Sequence, residues 1–196
     1  DRLAKEGVRF TQHYSNGTEC SPTRTALLTG RYPQWAGGLE CAIGTGNVGR
    51  YDDAILLADR RQLGLPAEQV VLPGEFKKAG YVTGIFGKWH LGYEPHFNPI
   101  EHGWDEFFGY LGGNVHYFNH RETSDLHVLF RGRLPVHSEW YMTHLITGSS
   151  TDFIARNKNK PFFLFVSNES PHFPFQGPKD VDKKINKENW MTPDPD

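Results

Sequence analysis

Cys20-Ser21-Pro22-Thr23-Arg24-Thr25-Ala26-Leu27-Leu28-Thr29-Gly30-Arg31 is the stretch that decides the fold. Ser21 suits an N-cap, Pro22 the first helical position and Gly30 the C-terminal stop, so the spacing predicts a short helix opening just after Cys20. Backbone N–H groups at such a start, with the helix dipole behind them, favour an anion in front. Arg24 follows the cap by about one turn (~3.6 residues), so its guanidinium can fold back toward Cys20. The pattern sets a reactive side chain beside a small oxyanion site. The plainer alternative is a helix start preceded by a buried, inert cysteine.

Working outward, Val8 to Tyr14 alternates in the manner of a strand and runs into a Ser15-Asn16-Gly17-Thr18 loop. Before it, Asp1-Arg2-Leu3-Ala4-Lys5-Glu6-Gly7 reads as amphipathic helix reaching a glycine stop. Residues 31–66 begin rich in glycine (Gly37, Gly38, Gly44, Gly46, Gly49) and read as a long surface excursion. Leu72 to Gly80 has proline at its start and glycine at its stop, as a helix should, and Tyr81 to Phe86 then reads as a short buried strand. That helix–glycine–strand order is what an α/β crossover needs. Residues 93–140 read as loops with a small hairpin around Val128 to Val136, Gly132 in its turn. Thr143 to Asn157 has helical spacing interrupted at Gly148, and Phe162-Phe163-Leu164-Phe165-Val166 is the continuous apolar run of a strand covered on both faces.

A chain of 196 residues with 37% hydrophobic and 22% charged content is of ordinary globular composition and long enough for a sizeable core. A net charge of −2 gives no electrostatic case for nucleic acid or an anionic membrane, and no run approaches the roughly 20 apolar residues of a membrane span. Two cysteines make no disulfide framework. A Cys20–Cys41 bridge is the alternative, and it would block chemistry at Cys20. Both ends read as cut, so the chain is expected to be part of a longer one.

Two further clusters follow the candidate strands. Gly87-Lys88-Trp89-His90-Leu91-Gly92 puts a cation and an imidazole two residues apart, on one face if the chain stays extended, which suits a tetrahedral oxyanion. Ser167-Asn168-Glu169-Ser170-Pro171-His172-Phe173-Pro174-Phe175 holds His172 between prolines just past a buried strand, at the edge where open α/β sheets bind ligands. Asn114, after two glycines, is a candidate substrate contact, with a plain turn as the alternative. The histidines at 96, 102, 116, 120, 127, 137 and 144 lack metal-ligand spacing, and Asp52-Asp53 reads as a solvated face.

Cys-x-Pro-x-Arg followed by Leu-Thr-Gly-Arg, the Gly-Lys-Trp-His-Leu-Gly block and the Pro-His-x-Pro element together resemble the type I sulfatases of the alkaline-phosphatase-like superfamily. The resemblance implies an α/β fold with a mixed, mostly parallel sheet sandwiched by helices, of which residues 1–196 would be the partial N-terminal catalytic domain. It implies that Cys20 is converted by a formylglycine-generating enzyme to Cα-formylglycine, whose hydrate attacks sulfur. Arg24 and Lys88 would hold sulfate oxygens, His90 would serve the hydrate, and His172 would protonate the leaving group. Lys88, His172 and Asn114 are the expected substrate contacts. Calcium would be ligated by residue 20 as formylglycine, its other ligands falling outside this chain, so the chain alone should bind metal poorly and turn over slowly. The implied substrate is a carbohydrate or aryl sulfate ester, and the implied location is exported. A phosphonate or phosphodiester hydrolase of the same superfamily and a non-catalytic, glycan-binding module are the alternatives.

Overall fold

The two apolar runs that read as strands lie side by side, in register, at the centre of the fold. A computed structural model of the chain describes residues 1–37, 39–44, 52–186 and 188–192. Gly38, Gly46 and Gly49 of the glycine-rich stretch, and residues 193–196, lie outside the described residues. The elements are α1 (Arg2–Glu6), α2 (Cys20–Thr29), α3 (Asp52–Asp59), α4 (Leu72–Lys78), β1 (Val82–Lys88), β2 (Glu106–Tyr110), β3 (Leu129–Arg131), β4 (Leu134–Pro135), α5 (Met142–Asn157) and β5 (Phe162–Ser167).

They build a five-stranded sheet in the order β4-β3-β2-β1-β5. β1 pairs parallel with both β2 and β5, setting Gly84 against Glu106 and Leu164, and the β3–β4 hairpin adds antiparallel on the outside of β2. Side chains alternate across the strands, so each apolar run feeds two cores. On one face Ile85, Phe107, Phe163 and Phe165 pack with Leu28 of α2, Val71 and Trp104. On the other, Phe86, Phe108, Phe162 and Leu164 pack against Met142, Ile146 and Phe153 of α5. The expected α/β architecture, a mixed and mostly parallel sheet flanked by helices, is what the chain forms.

Several local expectations differ. Val8 to Tyr14 forms no strand and is exposed throughout: alternation makes a strand only where a partner edge is available, and among the described residues none pairs with it. β2 falls inside the stretch that reads as loops, because its Phe-Phe-Gly-Tyr run is short and its ladder comes entirely from β1 and β3. The 31–66 excursion contains α3, whose Asp52 and Asp53 side chains lie outside the described residues. α5 is uninterrupted because Gly148 faces open space, where a glycine costs only about 1 kcal/mol. β5 is the edge of the described sheet, so it is half-buried rather than covered on both faces. The hairpin turn at Gly132, with φ +58°, is where the sequence puts it.

One glycine sets the approach of two strands. Gly87 has φ +115°, and a Cβ there would stand 1.9 Å from the Ser167 carbonyl oxygen. A left-handed backbone without a side chain is what lets the ends of β1 and β5 close on each other, and both ends carry site residues.

Candidate functional site

Because β1, β2 and β5 run parallel, their C-terminal ends share one edge of the sheet. β1 delivers Lys88, Trp89 and His90; the segment after β2 delivers Gly113 and Asn114; the segment after β5 delivers Glu169 and His172. α2 brings Cys20 to the same edge. A cleft of about 640 Å³ opens between them, with Cys20, His90, Gly113, Asn114 and His172 in its walls.

Cys20 is itself the first residue of α2. Glu19 occupies the N-cap position and makes no side-chain cap. Ser21, expected as the cap, is instead buried, and its hydroxyl donates to the His90 carbonyl at 2.9 Å and accepts from the Ile43 N–H at 3.2 Å. That correction tightens the site, since Ser21 pins the helix start to the chain just beyond β1. Gly30 closes the helix in the left-handed conformation, as its position suggests.

Arg24 does not fold back into the cleft. Its Nε donates to the Trp89 carbonyl at 2.6 Å, Nη1 donates to Ser167 Oγ at 2.9 Å and Nη2 donates to the Lys88 carbonyl. It ties α2 to the ends of β1 and β5 from behind the cleft lining. Burial lowers its pKa to about 10, so it stays charged at neutral pH, and its charge acts on Cys20 through space.

Lys88 is buried, and its Nζ donates to the Gly113 carbonyl at 2.5 Å. His90 reaches the cleft by a different route from the extended backbone expected of it. Its φ is +58°, and its N–H continues the ladder to the Leu111 carbonyl at 3.1 Å. Lys88 and His90 nevertheless converge, because the His90 ring lies against Gly113, where a Cβ would come within 2.7 Å of the imidazole. His90 Nε2 is held by the Ile43 carbonyl. A carbonyl can only accept, so Nε2 carries the proton and Nδ1 keeps its lone pair. Burial holds His90 below the usual imidazole range, overcoming the opposing pull of Cys20.

His172 is the opposite case. Burial pulls it down, but contact with Cys20, the Phe173 carbonyl at 2.8 Å and the charge of Glu169 more than reverse this and leave it above the usual range. Its Nδ1 donates to Phe173 and lies 3.6 Å from Glu169 Oε1, which turns Nε2 toward the cleft. Glu169 is buried, accepts from the Tyr110 hydroxyl and is pushed by burial up to about 7. Sequence reading passed over Glu169 and Tyr110. The available signal was an acidic residue one turn before a histidine at a strand end.

His172 above all, with the Lys88 charge, holds the Cys20 thiol down at about 4 against the effect of burial. Unmodified protein should therefore carry a thiolate at position 20 throughout pH 5–8, an ordinary thiol titrating near ~8.5. Iodoacetamide labelling of Cys20 in a Cys41→Ser background should run at a nearly constant rate over that range; a rate rising about tenfold per pH unit contradicts the thiolate. Both cysteines are free, so the bridged alternative does not form. Asn114 lines the cleft with a buried Oδ1 that has no hydrogen-bond partner among the described residues.

The chain is thus an α/β domain that gathers a cysteine, a lysine and two histidines at the C-terminal edge of its sheet. It belongs to the sulfatase family, whose model, described as Sulfatase, matches residues 1–194. It is 35% identical over 199 residues to the N-acetylgalactosamine-6-sulfatase of Homo sapiens, covering 91% of this chain and 35% of that protein. It is 31% identical to an arylsulfatase of Hemicentrotus pulcherrimus, covering 88% of this chain and 32% of that one. Among solved structures, Ps i-CgsB in complex with k-i-k-neocarrahexaose superposes with a TM-score of 0.68 at 27% identity, over 86% of this chain and 38% of that one. The chain spans about a third of the length of the curated relatives it matches.

Proposed function

We propose that this chain is the nucleophile-bearing part of a sulfate ester hydrolase, with residue 20 acting as formylglycine. The observation that carries the reading is the enclosure of the Cys20 side chain by His90, His172 and Lys88. The same three groups suit the oxygens of an aldehyde hydrate: two can exchange protons with hydroxyls and one is a fixed cation. A formylglycine at this position supplies a geminal diol, of which one hydroxyl attacks sulfur and the other, on losing its proton, lets the carbonyl re-form as sulfate departs.

The chain's own residues divide the remaining work. His172, protonated, presents Nε2 to the ester oxygen and gives it the proton that the departing alcohol needs. His90, kept neutral by burial, offers the Nδ1 lone pair to the hydroxyl that must be deprotonated afterwards. Lys88 and the charge of Arg24 stand behind the nucleophile, where negative charge gathers on the transferred sulfuryl group. Asn114 contributes a buried acceptor at the cleft wall for a substrate hydroxyl.

Calcium, which the family resemblance implies, finds no matching donor set among the described residues: no group of three or more His, Cys, Asp or Glu could hold a metal ion. No step is derived through it, and its remaining ligands would come from outside this chain. The substrate proposed is a glycan sulfate ester, since N-acetylgalactosamine-6-sulfatase and the neocarrahexaose complex of Ps i-CgsB are carbohydrate-directed by name. The reading carries with it maturation by a formylglycine-generating enzyme and an exported location, and no described helix is long and apolar enough to cross a membrane.

The test is to assay protein matured with such an enzyme on matched 4-nitrophenyl sulfate and bis-(4-nitrophenyl) phosphate. A kcat/KM at least tenfold higher for the sulfate is expected, and the reverse order would assign the chain to the phosphodiester hydrolases.

A further inference from the structure

The chain from His116 to Val128 doubles back on itself, its Val128 N–H donating to the His120 carbonyl at 3.2 Å and its Glu122 N–H to the Leu126 carbonyl at 3.0 Å. Hollows adjoin one another along it. The Cys20 cleft shares Glu122 and Thr123 with a smaller hollow of about 250 Å³ that Arg121 and Asp125 also line. That hollow in turn shares Asn119 with a third, of about 720 Å³, walled by Asn119, His127, His137, Ser138, Glu139 and Trp140. The Cα atoms of Asn119 and Thr123 are at most about 14 Å apart, the limit of four extended residues, which is within the length of a short oligosaccharide. In the third hollow the Trp140 side chain is turned out to solvent, the residue being 70% exposed. Its backbone is nonetheless tied: the N–H donates to Ser138 Oγ at 3.2 Å and the carbonyl accepts from His120 Nε2 at 3.1 Å. The next residue, Tyr141, stacks on Tyr117 with ring centroids 5.3 Å apart. Opposite groups are fixed too, since the His127 and His137 rings lie 4.4 Å apart and His127 Nε2 donates to the Val136 carbonyl at 2.8 Å.

We propose that the hollow at Trp140 is a distal subsite for a sugar ring of the same glycan whose sulfated ring occupies the Cys20 cleft, so that the protein prefers oligosaccharide sulfates to monosaccharide sulfates. The inference rests on the sulfatase reading and narrows its substrate class by length. A lone exposed apolar side chain is ordinary on a protein surface. An indole set in a polar hollow, on a backbone held at both its N–H and its carbonyl, is instead a platform with little freedom left to lose on binding. Its flat face fits the apolar C–H face of a pyranose. The amide of Asn119, the hydroxyl of Ser138, the His137 imidazole and the Glu139 carboxylate fit hydroxyls at the ring edge, which both donate and accept. The adjoining hollows say which ligand reaches it, because they lead back to the cleft through Asn119, Glu122 and Thr123. Once one ring is seated at Cys20, contact at Trp140 becomes intramolecular, so a platform of modest strength is enough to separate long esters from short ones.

The experiment measures binding, so it does not depend on turnover. Cys20→Ala protein, as the full natural polypeptide, is titrated by calorimetry with N-acetylgalactosamine 6-sulfate and with a chondroitin 6-sulfate hexasaccharide. The hexasaccharide should bind at least about tenfold more tightly, the lower end of what a tethered second contact adds. Trp140→Ala should cut that advantage to about threefold or less, the statistical gain from repeated sulfated rings, and leave monosaccharide affinity unchanged. Trp140→Phe, which keeps an aromatic face, should restore most of it. Equal affinity for the two sugars overturns the subsite. So does an advantage that survives Trp140→Ala; if that variant also lowers Tm, Trp140 packs against polypeptide outside residues 1–196. In each of these cases the monosaccharide still binds and the sulfatase reading stands. Binding of neither sugar overturns that reading and the subsite with it.

Discussion

Replacing Cys20 with alanine is expected to lower kcat for a sulfate ester by about 10⁴-fold or more, with the protein still folded. Its side chain lines the open cleft, so its loss leaves no core cavity. The expected loss is large because, among the described cleft residues, no other side chain can become the geminal diol that the proposed mechanism needs. Cys20→Ser separates the formylglycine mechanism from simple covalent catalysis. A serine has one hydroxyl, so it could be sulfated but has no second hydroxyl to expel sulfate. A single turnover followed by arrest, read by mass spectrometry of the arrested protein, is the expected result. Sustained turnover by the serine variant contradicts the mechanism.

Replacing His172 with glutamine should cost about 10²–10³-fold in kcat for an alkyl or sugar sulfate and far less for 4-nitrophenyl sulfate, whose leaving group needs little protonation. A merely structural role would lower both rates alike. The pH dependence follows from the direction of the shift. His172 is raised, so it keeps its proton further toward alkaline pH than a free imidazole. A general acid works in its protonated form, so kcat for sugar sulfates should be level below its pKa and fall about tenfold per unit above it. The glutamine variant should lose that alkaline limb. Glu169 supports it in part: ionised above about 7, it adds charge beside His172 where the imidazolium would otherwise begin to lose its proton.

How far the sequence could be read depended on whether a segment carried its own signal. The strands read as ending at Phe86 and Val166 were legible because each apolar run is bounded by glycine, proline or polar residues, and in the structure they extend to Lys88 and Ser167. From those runs, His172 could be placed at the C-terminal edge of one strand and Lys88 and His90 just past another, while Cys20 joined them only through the family resemblance. What could not be read was set by partners distant in sequence. β2 is a strand only because β1 lies beside it, and Val8 to Tyr14 has the alternation but no partner among the described residues. Helical spacing turned Arg24 toward Cys20, and the family resemblance made it a sulfate ligand; the carbonyls that capture it sit 64 and 65 residues away, at Lys88 and Trp89. Ser21 was drawn off its capping role in the same way by His90. Glu169 had only the local signal of an acid one turn before His172; that Tyr110, 59 residues away, would help bury it is set by the fold.

The direct test of the account is the mass of the tryptic peptide Phe10–Arg24 from protein purified from its natural source. Conversion of Cys20 to formylglycine replaces the thiol with an aldehyde, giving a lighter peptide that reacts with a hydrazide probe and no longer with iodoacetamide. That is the predicted result. A peptide carrying an intact, alkylatable thiol in all of that material would remove the nucleophile and contradict the proposed hydrolase.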